Sequence, residues 1–311
     1  VTHIRATSNG LFQHTLRSAI HTSGIGLHSG STVRLTIAPA DAGTGITFIR
    51  TDKRGDAALI PAAWDAVADS RLCSVIANAD RNTVGTVEHL MAALAGCGID
   101  NAEVRIDAGE VPIMDGSSAP FVAMIERAGR LEQAAPRRAI RILKPVYVTE
   151  GSKVASLVPG EGTTYSFEID FDNAVVARQT ASFDLVPGSF AESIARARTF
   201  GFLHEVDAMR RAGLALGGSL DNAIVIDRDR VLNEDGLRFE DEFVRHKILD
   251  AVGDLYLAGA PIIGHFHGCR SSHALNNKLL HALFADRSAW CYDIPAAILP
   301  AWSDCPARAV A

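Results

Sequence analysis

Cysteine is scarce in this chain. The five residues, at 73, 97, 269, 291 and 305, are odd in number and include no CxxC pair. Such a set builds neither a disulfide framework nor a cysteine-rich zinc knuckle, so reduced thiols that mostly pack are expected. Long apolar runs are missing too. Nothing approaches the roughly 20 residues that span a bilayer, and the opening "VTHIRATSNG" lacks the basic-then-apolar layout of a secretory signal. The expectation is a cytoplasmic protein. Blocks of one charge are also absent: 30 Lys and Arg stand against 36 Asp and Glu, a net charge of −6, which gives no electrostatic footprint for nucleic acid. No HExxH, GxSxG or P-loop GxxxxGK[ST] occurs. "GIGLHSG" (residues 24–30) departs from GxGxxG and precedes a strand pattern, so it reads as a turn near a site, with His28 facing a ligand.

The chain has 311 residues, 48% hydrophobic and 21% charged, enough for two modest cores. Apolar alternation at Val33, Leu35 and Ile37, and at Tyr165, Phe167, Ile169 and Phe171, predicts half-buried strands. "TVEHLMAALAG" predicts a helix capped by Thr86 and stopped at Gly96, and "MDGSSAPFVAMIERAG" a turn and a helix closed by Gly129. The polar "EQAAPRR" (132–138) reads as a linker, after which "AIRILKPVYV" starts a fresh strand. Further strands are expected at "KVASLVP", "TYSFEIDF", "NAIVID" and "PIIGHFHG", with helices at "SFAESIARAR", "EVDAMRRAG", "DEFVRHKILDAVGDLYLAG" and "HALNNKLLHALFAD". This mixture without strict alternation favours α+β layers over a doubly wound sheet.

The helix at 241–259 carries His246, Asp250 and Asp254 on one stripe, a face whose spacing should leave it exposed or half-buried. Four-residue spacing lets His246 and Asp250 share one metal ion; read alone, HxxxD is more often a hydrogen-bonded pair on a solvated face. His89 would complete a two-histidine, one-carboxylate site with a position open for water, the pattern of catalytic zinc. Glu88 would then be a non-ligand carboxylate placed to take that water's proton. His273, near N-capping serines, could be a capping residue or, aimed at by Asp254, an imidazole held protonated and able to clamp an oxyanion.

The motifs "SGIGLHSG", "TVEHLMAALAGCGIDNAEVRIDAGEVPIMDGSSAPFV", "ARTFGF", "LGGSLDNAIVID", "RVLNEDGLRFEDEFVRHKILDAVGDLYL" and "SSHALNNKLL" occur in that order. With them the chain resembles the UDP-3-O-acyl-N-acetylglucosamine deacetylases, zinc amidases of lipid A biosynthesis, from about Phe12 to Leu283. The resemblance implies two similar two-layer α+β domains of the ribosomal protein S5 domain 2-like type, at 11–131 and 139–300, with the active site between them. It also implies an insert in each, within 50–85 and near 192–220, the second forming an acyl passage whose apolar candidates are Ile194, Phe202, Met209, Leu214 and Leu216.

The resemblance further implies metal ligands at His89, His246 and Asp250, a base at Glu88, a second catalytic histidine at His273 oriented by Asp254, and an oxyanion-holding hydroxyl at Thr199. Lys247, Lys153, Phe171, Phe200 and Leu27 fall on substrate-binding positions, Phe171 as a face for uracil. The implied cofactor is zinc, with iron(II) compatible with the same ligands. The implied partner is a small-molecule substrate, acylated UDP-N-acetylglucosamine, met by a monomer with at most transient membrane contact. Two departures stand out. "FDNAVV" lacks the histidine and proline that often follow that phenylalanine, and "GHFHGC" adds His265 and His267, expected to face solvent or to pack. Two rival readings keep parts of this chemistry: a metal-stabilised binding protein without catalysis, and a zinc amidase acting on a peptide or another sugar.

Overall fold

The computed structural model describes residues 10–294. Among these residues six α-helices run Glu88–Gly96 (α1), Ala119–Ala128 (α2), Ser189–Ser193 (α3), Leu203–Arg211 (α4), Glu242–Tyr256 (α5) and His273–Ala285 (α6). Two sheets carry the architecture, and their strands follow one plan. In the first, the order is Ile20–Ile25, Thr32–Pro39, Ala102–Ile106, Ile46–Arg50, Leu59–Pro61. In the second, Val146–Glu150 and Lys153–Val158 form the hairpin, Ile262–Cys269 is central, and Thr163–Asp170 and Arg178–Asp184 follow, with Ala139–Ile142 also beside the central strand and Trp290–Asp293 beyond it.

In both sheets the central strand runs antiparallel to the hairpin and parallel to its other neighbour. A helix leads into each central strand, α1 in the first half and α5 in the second, and another follows it, α2 and α6. The chain is therefore a structural repeat of an α+β unit, and α1 and α5 are equivalent helices. Each half also carries a separate three-stranded sheet, at Val67–Asp69, Val75–Ala77 and Thr83–Val84, and at Phe200–Phe202, Ile224–Asp227 and Arg230–Val231.

The alternating strands behave as their patterns predict: Val33, Leu35 and Ile37 are buried, as are Tyr165, Phe167 and Ile169, while Phe171 lies past the strand end. Several local expectations fail. Residues 132–138 are not a free linker, because Arg130–Pro136 is a strand antiparallel to Phe12–Leu16. Tertiary pairing supplies hydrogen-bond partners that a polar stretch cannot advertise. "AIRILKPVYV" breaks into two strands, Ala139–Ile142 and Val146–Glu150; Pro145 has no N–H to continue a ladder. "SFAESIARAR" is helical only over Ser189–Ser193. Thr86 does not cap α1. Its φ is +56°, Val87 holds the cap position, and the Thr86 hydroxyl turns to Glu110 Oε1 at 3.1 Å.

The largest departure concerns α5. Its polar stripe is not solvated: from Phe243 to Tyr256 nearly every residue is buried, including His246, Asp250 and Asp254. The apolar face packs on its own sheet, and the polar face meets α1. Gly253 makes this possible, since a Cβ there would lie 2.0 Å from the Glu88 carbonyl oxygen and 2.8 Å from its carbonyl carbon.

Candidate active site

The sequence of α1 is rich in Ala, Leu and Met, strong helix formers, and Glu88 through Leu94 are all buried. Its first turn therefore delivers Glu88 and His89 to the α5 stripe. His246 Nε2 lies 3.3 Å and His89 Nε2 3.7 Å from Asp250 Oδ1. One donor atom from each of these three buried residues lies within 4.8 Å of the others. His246 donates Nδ1–H to the Ala197 carbonyl at 3.1 Å, a bond that fixes its tautomer and leaves Nε2 with a lone pair facing the cluster. Lys247 Nζ takes Asp250 Oδ2 at 2.6 Å, whereas Asp250 Oδ1 is buried with no hydrogen-bond partner among the described residues.

The cluster has the character of a metal site. A buried carboxylate oxygen without a donor is costly unless a cation meets it. Two imidazole nitrogens converge on that oxygen, and both histidines are held neutral. Burial pushes His89 down to about 3, aided by the neighbouring His246, and burial also lowers His246 against the pull of Asp250. Asp250 stays ionised although burial opposes it, because His246 and Lys247 hold its carboxyl far below the usual range. Neutral imidazoles and an ionised carboxylate are what a divalent ion requires, so the residues fit.

Beside them, Glu88 accepts the Ser74 backbone N–H at Oε2 (3.0 Å) and presents Oε1 3.8 Å from His273 Nε2. Burial raises its carboxyl to about 7, despite the opposing pull of His273. His273 begins α6, with Ser272 as the N-cap, and its Nδ1 lies 2.9 Å from Asp254 Oδ2. Burial alone would lower this imidazole, but Asp254 and Glu88 overcome it and hold it up at about 9.

Two residues that sequence reasoning missed complete the arrangement. Ser74 donates its hydroxyl to Asp254 Oδ1 at 2.6 Å, and Asn276 donates Nδ2–H to Asp254 Oδ2 at 2.9 Å. Ser74 thus holds Glu88 with its backbone and Asp254 with its side chain. The only signal in the sequence is a hydroxyl beside Cys73, and it says nothing until the first half closes over α5. The Cys73 thiol, pushed up to about 12 by burial and by Glu88, is protonated beside the base.

A cavity of about 410 Å³ opens onto this cluster, lined by Leu27, Glu88, His89, Lys153, Phe171, Thr199, Phe200, His246, Lys247, Asp250 and His273. Every residue singled out as catalytic, substrate-binding or metal-ligating lines it except Asp254, which lies behind His273. His28 also lines it, and its loop is pinned where Glu110 accepts the His28 and Ser29 N–H groups at 2.8 and 2.9 Å. Phe171 and Phe200 meet edge to face at 5.8 Å on one wall, and Phe200 packs 4.9 Å from Phe243.

The apolar candidates for an acyl passage divide. Phe202 lines this cavity, Leu214 lines an adjoining apolar one, Met209 is half-buried and Leu216 is exposed. Ile194 is core, 2% exposed. His265 and His267 are half-buried and absent from the cavity wall. The described thiols, Cys73, Cys97, Cys269 and Cys291, are all free, and Cys305 lies outside the described residues. Among the described residues no helix is long and apolar enough to cross a membrane.

A relative from Idiomarina loihiensis named UDP-3-O-acyl-N-acetylglucosamine deacetylase is 51% identical over 280 residues, covering 89% of this chain and 91% of its own. Another of the same name, from Phenylobacterium zucineum, is 50% identical over 280 residues, covering 90% of this chain and 96% of its own. The family model described as UDP-3-O-acyl N-acetylglycosamine deacetylase matches residues 13–285, and the chain belongs to that family.

Proposed function

We propose that the protein hydrolyses the N-acetyl group of UDP-3-O-acyl-N-acetylglucosamine, releasing acetate and UDP-3-O-acyl-glucosamine, the committed step of lipid A biosynthesis. The observation that carries this reading is Glu88, a non-ligand carboxylate beside the convergent His89, His246 and Asp250. A structural metal site fills its coordination sphere and has no use for a base.

His89, His246 and Asp250 would hold a divalent ion, zinc or iron(II), which would supply Lewis acidity to the water and the amide carbonyl. Glu88 accepts the proton of that water, and its raised pKa, near neutrality, suits the task. Thr199 and the cationic His273 donate hydrogen bonds to the tetrahedral oxyanion. When the C–N bond breaks, His273 gives its proton to the leaving amine, because it is already charged and its Nε2 lies beside Glu88, 3.8 Å from Oε1. Lys247 positions Asp250 and reaches the substrate; Lys153, Phe171, Phe200 and Leu27 hold the nucleotide and sugar, with Phe171 stacking on uracil. Domains at 11–131 and 139–300 are part of this reading, as are a monomeric state, cytoplasmic action and transient membrane contact at most.

The test is acetate release from UDP-3-O-acyl-N-acetylglucosamine by purified protein before chelation, after it, and after reloading with zinc or iron(II). Activity that falls with chelation and returns with metal supports the reading. Protein that holds metal yet releases no acetate would leave a binding protein, and equal rates on the unacylated sugar nucleotide would remove the acyl passage.

Two further outcomes are expected. Asp254→Asn removes the carboxylate that keeps His273 charged, so the imidazole's pKa falls. His273 carries its proton fully below its ordinary range and loses it as pH rises through about 9; the alkaline limb of kcat therefore moves to lower pH in the variant. An unmoved limb would separate His273 from catalysis. Ser74→Ala leaves Asp254 Oδ1 short of a donor, a cost of about 1–3 kcal/mol. It should lower kcat more than it raises KM, with Ser74→Thr recovering most of the rate. Equal loss in both variants would reduce Ser74 to packing.

A further inference from the structure

His265 and His267 lie on the central strand Ile262–Cys269, where burial alternates residue by residue. Phe266 points into the core, so the two imidazoles share the opposite face of the sheet, away from the catalytic cavity. Across the parallel pairing, His265 stands beside Thr164 and His267 beside Ser166. His265 Nε2 and His267 Nδ1 both lie 2.9 Å from one atom, Ser166 Oγ. One hydroxyl has one proton, so it donates to one of the two nitrogens and pairs with the other only by accepting that ring's N–H.

The other end of His265 matters equally. Its Nδ1 lies 2.7 Å from Thr164 Oγ1. With the proton on Nδ1 donated to that oxygen, Nε2 presents a lone pair towards the point shared with His267. His267 turns Nδ1 to the same point, and its Nε2 makes no hydrogen bond among the described residues, so it can carry the ring proton into solvent. Both residues are half-buried.

We infer that His265 and His267 form a second metal-binding site, separate from the catalytic cluster, for a borderline divalent cation such as Cu2+, Ni2+ or Zn2+. Rotation of the Ser166 hydroxyl away from the shared point frees both lone pairs at once, and water fills the remaining positions. Two imidazoles without thiolate favour these ions over Mg2+ or Ca2+, with Cu2+ bound most tightly. The site is independent of the catalytic chemistry, because neither residue lines the cavity.

The experiment titrates Cu2+ into the protein with its catalytic metal in place, following uptake by calorimetry and the copper signal by electron paramagnetic resonance. Wild type is expected to bind one Cu2+ per chain beyond the catalytic ion, with hyperfine coupling from two imidazole nitrogens. The His265→Gln/His267→Gln double variant should lose that ion and keep its deacetylase rate. Thr164→Val should weaken binding about tenfold, the usual cost of losing the bond that orients a ligand histidine. His21→Gln, at an exposed imidazole bonded to Thr36, should change nothing. Undiminished uptake in the double variant, or no uptake by wild type, would overturn the assignment.

Discussion

Replacing Glu88 by alanine or glutamine is expected to lower kcat by about 10²–10⁴-fold, the usual contribution of a positioned base, while leaving the bound metal in place. The separation of these effects follows from the geometry. His89, His246 and Asp250 supply the three convergent donor atoms, and Glu88 is not among them. Its Oε2 is instead taken up by the Ser74 N–H, leaving Oε1 turned towards His273. Alanine leaves that N–H without its acceptor, so a modest loss of stability should accompany the loss of rate. Glutamine keeps the shape and an acceptor oxygen but cannot take up a proton as a carboxylate does. Metal analysis and acetate release on the same preparations decide the matter. A variant with normal metal and near-normal kcat would mean that another group takes the water's proton.

Gly253→Ala is expected to be as damaging although the residue makes no chemical contribution. The added methyl would sit 2.0 Å from the Glu88 carbonyl oxygen, so α1 and α5 must separate or tilt. Overpacking of this kind costs about 1–3 kcal/mol, and a shift of about 1 Å at a catalytic centre can cost about 10²-fold in rate. Here the displaced helix carries both Glu88 and His89, so metal affinity and kcat should fall together. This joint loss distinguishes Gly253→Ala from Glu88→Ala. A thermal melt with metal analysis and kcat for the variant checks it: full metal content and a rate within twofold of wild type would show that the helices can absorb the methyl.

Much of the site is legible in the order of residues. Four-residue spacing alone puts His246, Asp250 and Asp254 on one side of a helix, because the α-helical repeat is a local property of the backbone. Thr86 misleads for the opposite reason. A threonine ahead of an apolar helix usually caps it, but here a positive φ turns the residue to Glu110, a partner brought in by tertiary contacts. The strand at Arg130–Pro136 hides in the same way, since its partner, Phe12–Leu16, lies at the other end of the first half. Ser74 and Asn276 carry no local signature. Their roles exist only because both reach Asp254.

What the amino-acid order settles is the chemistry available: which side chains can bind a metal, accept a proton or hold one, and the family motifs in which they are set. Packing settles the rest, burying the stripe on α5, bringing α1 against it across Gly253, and setting Glu88 and His273 face to face within 3.8 Å. The physical reason is range. Helical periodicity fixes neighbours a turn apart, whereas burial, pKa and the approach of two helices from different halves depend on how two sheets pack their faces together.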